Sequence, residues 1–221
     1  MLVSQIMEGG SEHCTELWKA EGLWNDVPCS LSLGHAICQF ANLNPGVRGD
    51  PHMTTFDGRA YAFQGTCWYT LFKDCSSNSG FEVTTKFESR KDNISAEIRT
   101  RVVSFSVTVG KQYAVVDGLE ILTGPTDEQL NETQAIHVHR EDKQILLHFT
   151  LQDTTFTLQW TLRNHGLSVS YYGSAYNGKL CGLMGNADGN PLNDFKNPDG
   201  SVVRDVDEFG KSWKLEGKNC D

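Results

Sequence analysis

The chain has 221 residues and a mass of 24.6 kDa, enough to bury a core of its own as one large domain or a domain with a small appendage. Against 28 acidic residues there are 19 basic ones, and the net charge of −9 repels a phosphate backbone, which makes nucleic acid a poor partner. No apolar run approaches the ~20 residues of a membrane-spanning helix.

The cysteines stand at positions 14, 29, 38, 67, 75, 181 and 220, without the paired short spacings of a structural zinc site. Such scatter reads as a disulfide framework and therefore as an oxidising, extracellular compartment. The glycosylation acceptors Asn93-Ile94-Ser95 and Asn131-Glu132-Thr133 fit that compartment. The opening MLVSQIMEGG lacks the basic and long apolar regions of a secretion signal, so the expectation is a fragment of a longer secreted chain. The odd cysteine count agrees, and it leaves Cys38 without an assigned partner.

In chain order, residues 1–40 are crowded with Trp and Cys. Glu12-His13-Cys14, Trp24-Asn25-Asp26, Cys29 and Ala36-Ile37-Cys38-Gln39 resemble the closing third of a C-type lectin domain. The resemblance implies Glu12, Asn25 and Asp26 as vestigial calcium ligands and Cys14–Cys29 as an inner disulfide. The upstream helices and the Glu-Pro-Asn type of triplet before Glu12 are missing. The segment is therefore expected to be a stapled hairpin, and calcium-dependent carbohydrate recognition by the complete lectin domain of a parent protein stands as an alternative function.

The middle of the chain reads as strands at 81–89, 96–109, 134–140, 144–151, 154–162 and 167–172, with period-two alternation rich in Val, Ile, Thr and aromatics. Short connections force antiparallel neighbours. The expected fold is all-β, an antiparallel sandwich or meander. A tight turn at Asp142-Lys143 pairs residues so that Val138 faces Leu147, Ile136 faces Phe149 and His137 faces His148. His139 lies two residues along, so three imidazoles share one surface. They can hold a zinc ion, or they belong to a plain solvated face, since no fourth carboxylate or thiol is evident.

From residue 49 onward a second resemblance covers roughly 170 residues. Its pieces are Gly49-Asp50-Pro51-His52, Thr55-Phe56-Asp57-Gly58, Gly65-Thr66-Cys67-Trp68-Tyr69, Asp74-Cys75, Cys181-Gly182-Leu183-Met184-Gly185-Asn186, Asn193-Asp194, Pro198-Asp199-Gly200, Phe209-Gly210-Lys211-Ser212-Trp213 and Cys220. In this order they resemble the von Willebrand factor type D domain, taken to span 41–221 after the partial lectin-like segment 1–40. The resemblance implies the disulfides Cys67–Cys220 and Cys75–Cys181. Met184 stands where the family has the second cysteine of a C-x-x-C pair, so multimer formation by thiol exchange there is not expected.

The stretch Asn186-Ala187-Asp188-Gly189-Asn190-Pro191-Leu192-Asn193-Asp194 carries side-chain oxygens at Asn186, Asp188, Asn190, Asn193 and Asp194, with a glycine for a sharp turn. That is the logic of a calcium loop, although an ordinary turn uses the same residue types. By resemblance, Asp57 and the backbone carbonyl of Leu192 complete the shell of a Ca2+ cofactor. The Asp50-Pro51 bond is a candidate for self-cleavage, with the Asp50 carboxyl attacking its own carbonyl, proline leaving and His52 as acid. No nucleophile elbow, P-loop, metalloprotease motif or dinucleotide fingerprint occurs. The expected function is non-enzymatic: a secreted, calcium-binding structural or adhesion module that meets extracellular proteins or glycans.

Overall fold

The computed structural model describes residues 45–77, 79–90, 99–125, 135–218 and 220, together with the backbone of three strands within 14–38. The chain divides into two compact units, Met1–Asn42 and Leu43–Asp221. In the first, β1 (Cys14–Trp18) pairs antiparallel with β2 (Leu23–Val27) and with β3 (Ile37–Cys38). The register sets Cys14 opposite Val27 on one side and opposite Cys38 on the other. Glu12, Cys29 and the side chains of Cys14, Asn25 and Asp26 lie outside the described residues, as do the acceptors Asn93 and Asn131.

In the second unit the strands run β4 (Gly46–Arg48), β5 (His52–Thr54), β6 (Ala60–Ala62), β7 (Trp68–Asp74), β8 (Phe81–Ser89), β9 (Thr100–Val109), β10 (Gln112–Asp117), β11 (Glu120–Pro125), β12 (Ile136–Glu141), β13 (Gln144–Leu151), β14 (Thr154–Thr161), β15 (Gly166–Tyr172) and β16 (Leu180–Cys181). A short helix, α1 (Val206–Ser212), follows them. One sheet has the order β11-β10-β9-β8-β7-β16 and the other β12-β13-β14-β15-β4-β5-β6, with antiparallel pairing throughout the described strands. The expected all-β class is the fold observed. β9 begins at Thr100 and β12 at Ile136, while residues 96–98 and 134, with which these strands are expected to open, lie outside the described residues.

Alternation makes the sandwich. In β13, Ile145, Leu147 and Phe149 are fully buried while Gln144, Leu146, His148 and Thr150 face outward. Phe156 of β14 meets Phe72 of β7 at 5.6 Å between ring centres, Phe149 meets Phe81 of β8 at 5.2 Å, and Trp160 meets Phe105 of β9 at 6.1 Å. Each of these pairs joins one sheet to the other, and such contacts contribute about 0.5–1.5 kcal/mol beyond the area they bury. The buried Trp160 also donates its Nε1–H to the Gly118 carbonyl at 2.7 Å, so its polar atom is not stranded in the core. At the end of the unit, α1 is capped by the Asp205 carboxylate, which accepts from the Glu208 amide at 2.8 Å. It buries Phe209, stacked on Phe195 at 4.6 Å.

Candidate functional site

The site lies where the two sheets are tied together at the turn between β5 and β6. Thr55-Phe56-Asp57-Gly58 closes on itself through Gly58 N to Thr55 O at 3.1 Å and Arg59 N to Thr55 Oγ1 at 2.9 Å. Gly58 takes φ 89°, a conformation that most side chains avoid, and the turn presents Asp57 at its tip. Opposite it, the chain leaves β16 through Gly182, then buries Leu183 and Met184 completely. Met184 N donates to Leu71 O at 3.0 Å on the β7 side, and Met184 O accepts from Phe56 N at 2.9 Å on the β5 side. The side chain that stands at the family's second cysteine position is thus a core residue.

Residues 185–194 then wrap the Asp57 turn. The Asp57 carboxylate accepts from the amides of Asp188 at 3.1 Å and Gly189 at 3.0 Å. Asp188 accepts from Asn186 Nδ2 and Asn193 Nδ2, both at 2.8 Å, and from the Asn190 amide at 2.8 Å. Asp194 is 1% exposed and accepts from Thr55 Oγ1 at 2.6 Å and from the Asn186 amide at 3.4 Å. Gly185, at φ 77°, lies so close to the Asp194 carboxylate that an added Cβ would collide with it.

Electrostatics separates these acids. Burial pushes the Asp194 carboxyl up to about 6, with the Asp57 charge adding to the rise and the Thr55 hydrogen bond opposing it. For Asp188, desolvation acts upward, but hydrogen bonds from Asn193, Asn190 and Asn186 outweigh it and hold the carboxyl below its ordinary value.

Of the ligand set read from sequence, Asp57, Asn186, Asp188, Asn193 and Asp194 meet in this cluster. Asn190 joins the cluster through its backbone amide, while its side chain and the Leu192 carbonyl face other groups. Asn190 Oδ1 caps the 3-10 turn Pro191–Asn193 by accepting from Leu192 N at 3.2 Å. The carbonyls of Pro191 and Leu192 lie 3.5 Å from Arg59 Nη1, whose guanidinium sits 3.3 Å over the Phe195 ring. Thr55 and Arg59 are participants that sequence reasoning passed over. Thr55 was within reach, since it opens the Thr-Phe-Asp-Gly piece that carries Asp57. Among the described residues no three carboxylate, imidazole or thiol groups converge as a finished metal cage. An amide N–H stands between Asp57 and Asp188, whereas Asp57 and Asp194 face each other directly.

Among the described residues two disulfides hold the frame. Cys75, just after β7, is bonded to Cys181 at the end of β16, at the base of the loop. Cys67 is bonded to Cys220, which returns the last residues to the start of β7. The Asp50-Pro51 bond sits in the turn between β4 and β5, with Pro51 buried and His52 exposed. Asp50 Oδ2 lies 3.4 Å from Arg99 Nε, and Asp50 Oδ1 is buried without a hydrogen-bond partner.

Two packed antiparallel sheets, disulfides at either end of β7, and an acidic turn embraced by a Gly/Asn/Asp loop define an extracellular β module. Its sequence matches the model of the von Willebrand factor type D domain over residues 46–201, and the chain belongs to that family. It is 32% identical to zonadhesin of Homo sapiens over 93% of this chain and 8% of the relative. It is 32% identical to IgGFc-binding protein of Homo sapiens over 76% of the chain and 3% of the relative. To alpha-tectorin of Mus musculus it is 28% identical over 90% of the chain and 10% of the relative. The chain thus spans a tenth or less of the length of these curated relatives. They are extracellular proteins, and this module is extracellular too. No helix among its described residues is long and apolar enough to cross a membrane.

Proposed function

We propose that the chain is a non-enzymatic structural or adhesion module of a larger extracellular protein, with a calcium ion stabilising the contact between the Asp57 turn and the 185–194 loop. The observation that carries this reading is the burial of Asp194 beside Asp57. Two carboxylates are crowded together with only Thr55 and backbone amides to satisfy them. The donor set is all oxygen, which suits a hard cation. Asp57, Asn186, Asp188, Asn193 and Asp194 would hold the ion, which when bound supplies positive charge that offsets their mutual repulsion. Asn186 and Asn193 now turn nitrogens toward Asp188, and a half-turn of either amide puts an oxygen there instead. Arg59 keeps the outer end of the loop closed through the Pro191 and Leu192 carbonyls. Calorimetric titration of the calcium-free chain tests the assignment: one site is expected in the native protein and none in Asp57→Asn/Asp194→Asn. A native protein that takes up no calcium overturns it.

A second reading concerns the Asp50-Pro51 bond. The buried, unpartnered Asp50 Oδ1 supports it, because that oxygen has no hydrogen bond to give up on attacking the adjacent carbonyl. Incubation in mild acid followed by reducing electrophoresis is expected to release a fragment cut after Asp50, and none from Asp50→Asn. An intact chain under those conditions removes the reading. Carbohydrate recognition by a parent lectin domain has less support. The zonadhesin alignment leaves out only 7% of the chain, about 15 residues, so it runs into the N-terminal unit Met1–Asn42 and gives that segment relatives not named as lectins.

A further inference from the structure

The β12–β13 hairpin puts His137 directly opposite His148, with His139 two positions along the same strand and opposite Leu146. All three imidazoles lie on the exposed face of the sheet, since Ile136, Leu147 and Phe149 take the buried face. β12 is the edge strand of its sheet in the described order. The His137 and His148 rings stack at 4.9 Å between centres, with their planes 19° apart.

That separation has chemical meaning. Two imidazoles bound to one ion at about 2.05 Å per nitrogen have ring centres about 3.2 Å from the metal, hence roughly 4.5 Å apart at a right angle and roughly 5.2 Å apart at the tetrahedral angle. The observed 4.9 Å falls between these limits. The backbone register has brought the two ring centres to the spacing of a shared ion, but the rings stack face to face, so their nitrogens do not converge and the three imidazoles form no finished site as they stand. Bringing their nitrogens to a common point requires rotation about χ1 and χ2 of both side chains, which are open to solvent. His139 is diagonal to His148, a relationship that spans about 7–8 Å between backbones and is bridged by side chains of this length.

We propose that this face binds a divalent transition-metal ion of the zinc and copper class, with His137 and His148 as the primary ligands, His139 as the third and water completing the shell. Imidazole nitrogen selects these metals over calcium, which takes oxygen, so the site is independent of the carboxylate loop. The full chain is titrated with Zn2+ at saturating Ca2+, which keeps the acidic loop from competing. One equivalent is expected to bind, with affinity falling at least tenfold in His137→Gln and in His148→Gln and several-fold in His139→Gln. All three variants are expected to melt like the native chain in the absence of zinc, because these side chains lie outside the core. With Cu2+, the electron paramagnetic resonance spectrum is expected to show coupling to imidazole nitrogen that His137→Gln/His148→Gln abolishes. Undiminished zinc affinity in that double variant overturns the proposal, and undiminished affinity in His139→Gln overturns the role of the third ligand.

Discussion

The Asp57 carboxylate accepts a hydrogen bond from the Asp188 amide at 3.1 Å, across 131 positions of sequence. Closing so long a loop carries a large entropic cost, and the acceptor is a charged group that prefers water. The contact is therefore held by its surroundings: Phe56 and Met184 join the two segments through the backbone, and the Cys75–Cys181 bond anchors the start of the loop.

Gly185 makes room for Asp194. Alanine there meets both a collision with the carboxylate and a left-handed backbone at φ 77°. In urea denaturation of calcium-free protein, Gly185→Ala is expected to lose about 1–3 kcal/mol. Gly189→Ala has a similar φ of 86° but open space around its Cβ. It is expected to lose about 1 kcal/mol, the backbone strain alone.

The Cys75–Cys181 bond closes a sequence separation of 106 residues. Cys75→Ser/Cys181→Ser is expected to lose about 2–5 kcal/mol of stability. Because the loop begins at Cys181, calcium affinity is expected to fall with it. Equal stability before and after the double substitution would contradict the anchoring role.

Acid acts on His165. Burial lowers its tendency to take a proton, Arg101 and Arg90 add to that, and the hydrogen bond between Nδ1 and the Val102 carbonyl at 2.9 Å opposes it. Its folded-state value lies below the ordinary 6.5, so the stability it contributes is present above that pH and is lost as pH falls through the lowered value. His165 sits at φ 48°, a conformation asparagine tolerates. His165→Asn is expected to flatten the decline in melting temperature below pH 6.5, measured against the native chain.

Much of the sandwich was readable from alternation. The hairpin at 136–151 was readable to the residue, because a two-residue turn leaves a single register and Asp142 accepts the φ of 49° that the turn needs. β7 escaped because Tyr69, Thr70, Leu71 and Phe72 are all buried, so the strand shows no polar face. β4, β5 and β6 have three residues each, too few for a period to register. In the site, the 186–194 stretch announced itself by composition, but Asp57 could be attached to it only through family resemblance. No local pattern encodes a contact across 131 residues. The cap made by Asn190 Oδ1 and the approach of Arg59 to the Leu192 carbonyl are likewise matters of tertiary placement.

Thermal unfolding of the native chain and of Asp188→Asn, each in calcium and in chelator, bears on the ion most directly. Saturation at 100 times the dissociation constant adds about 2.7 kcal/mol, which for a chain of this size raises the midpoint by roughly 5–10 °C. That rise is expected in the native chain and largely absent in the variant. A native midpoint indifferent to calcium and chelator would contradict the clamp.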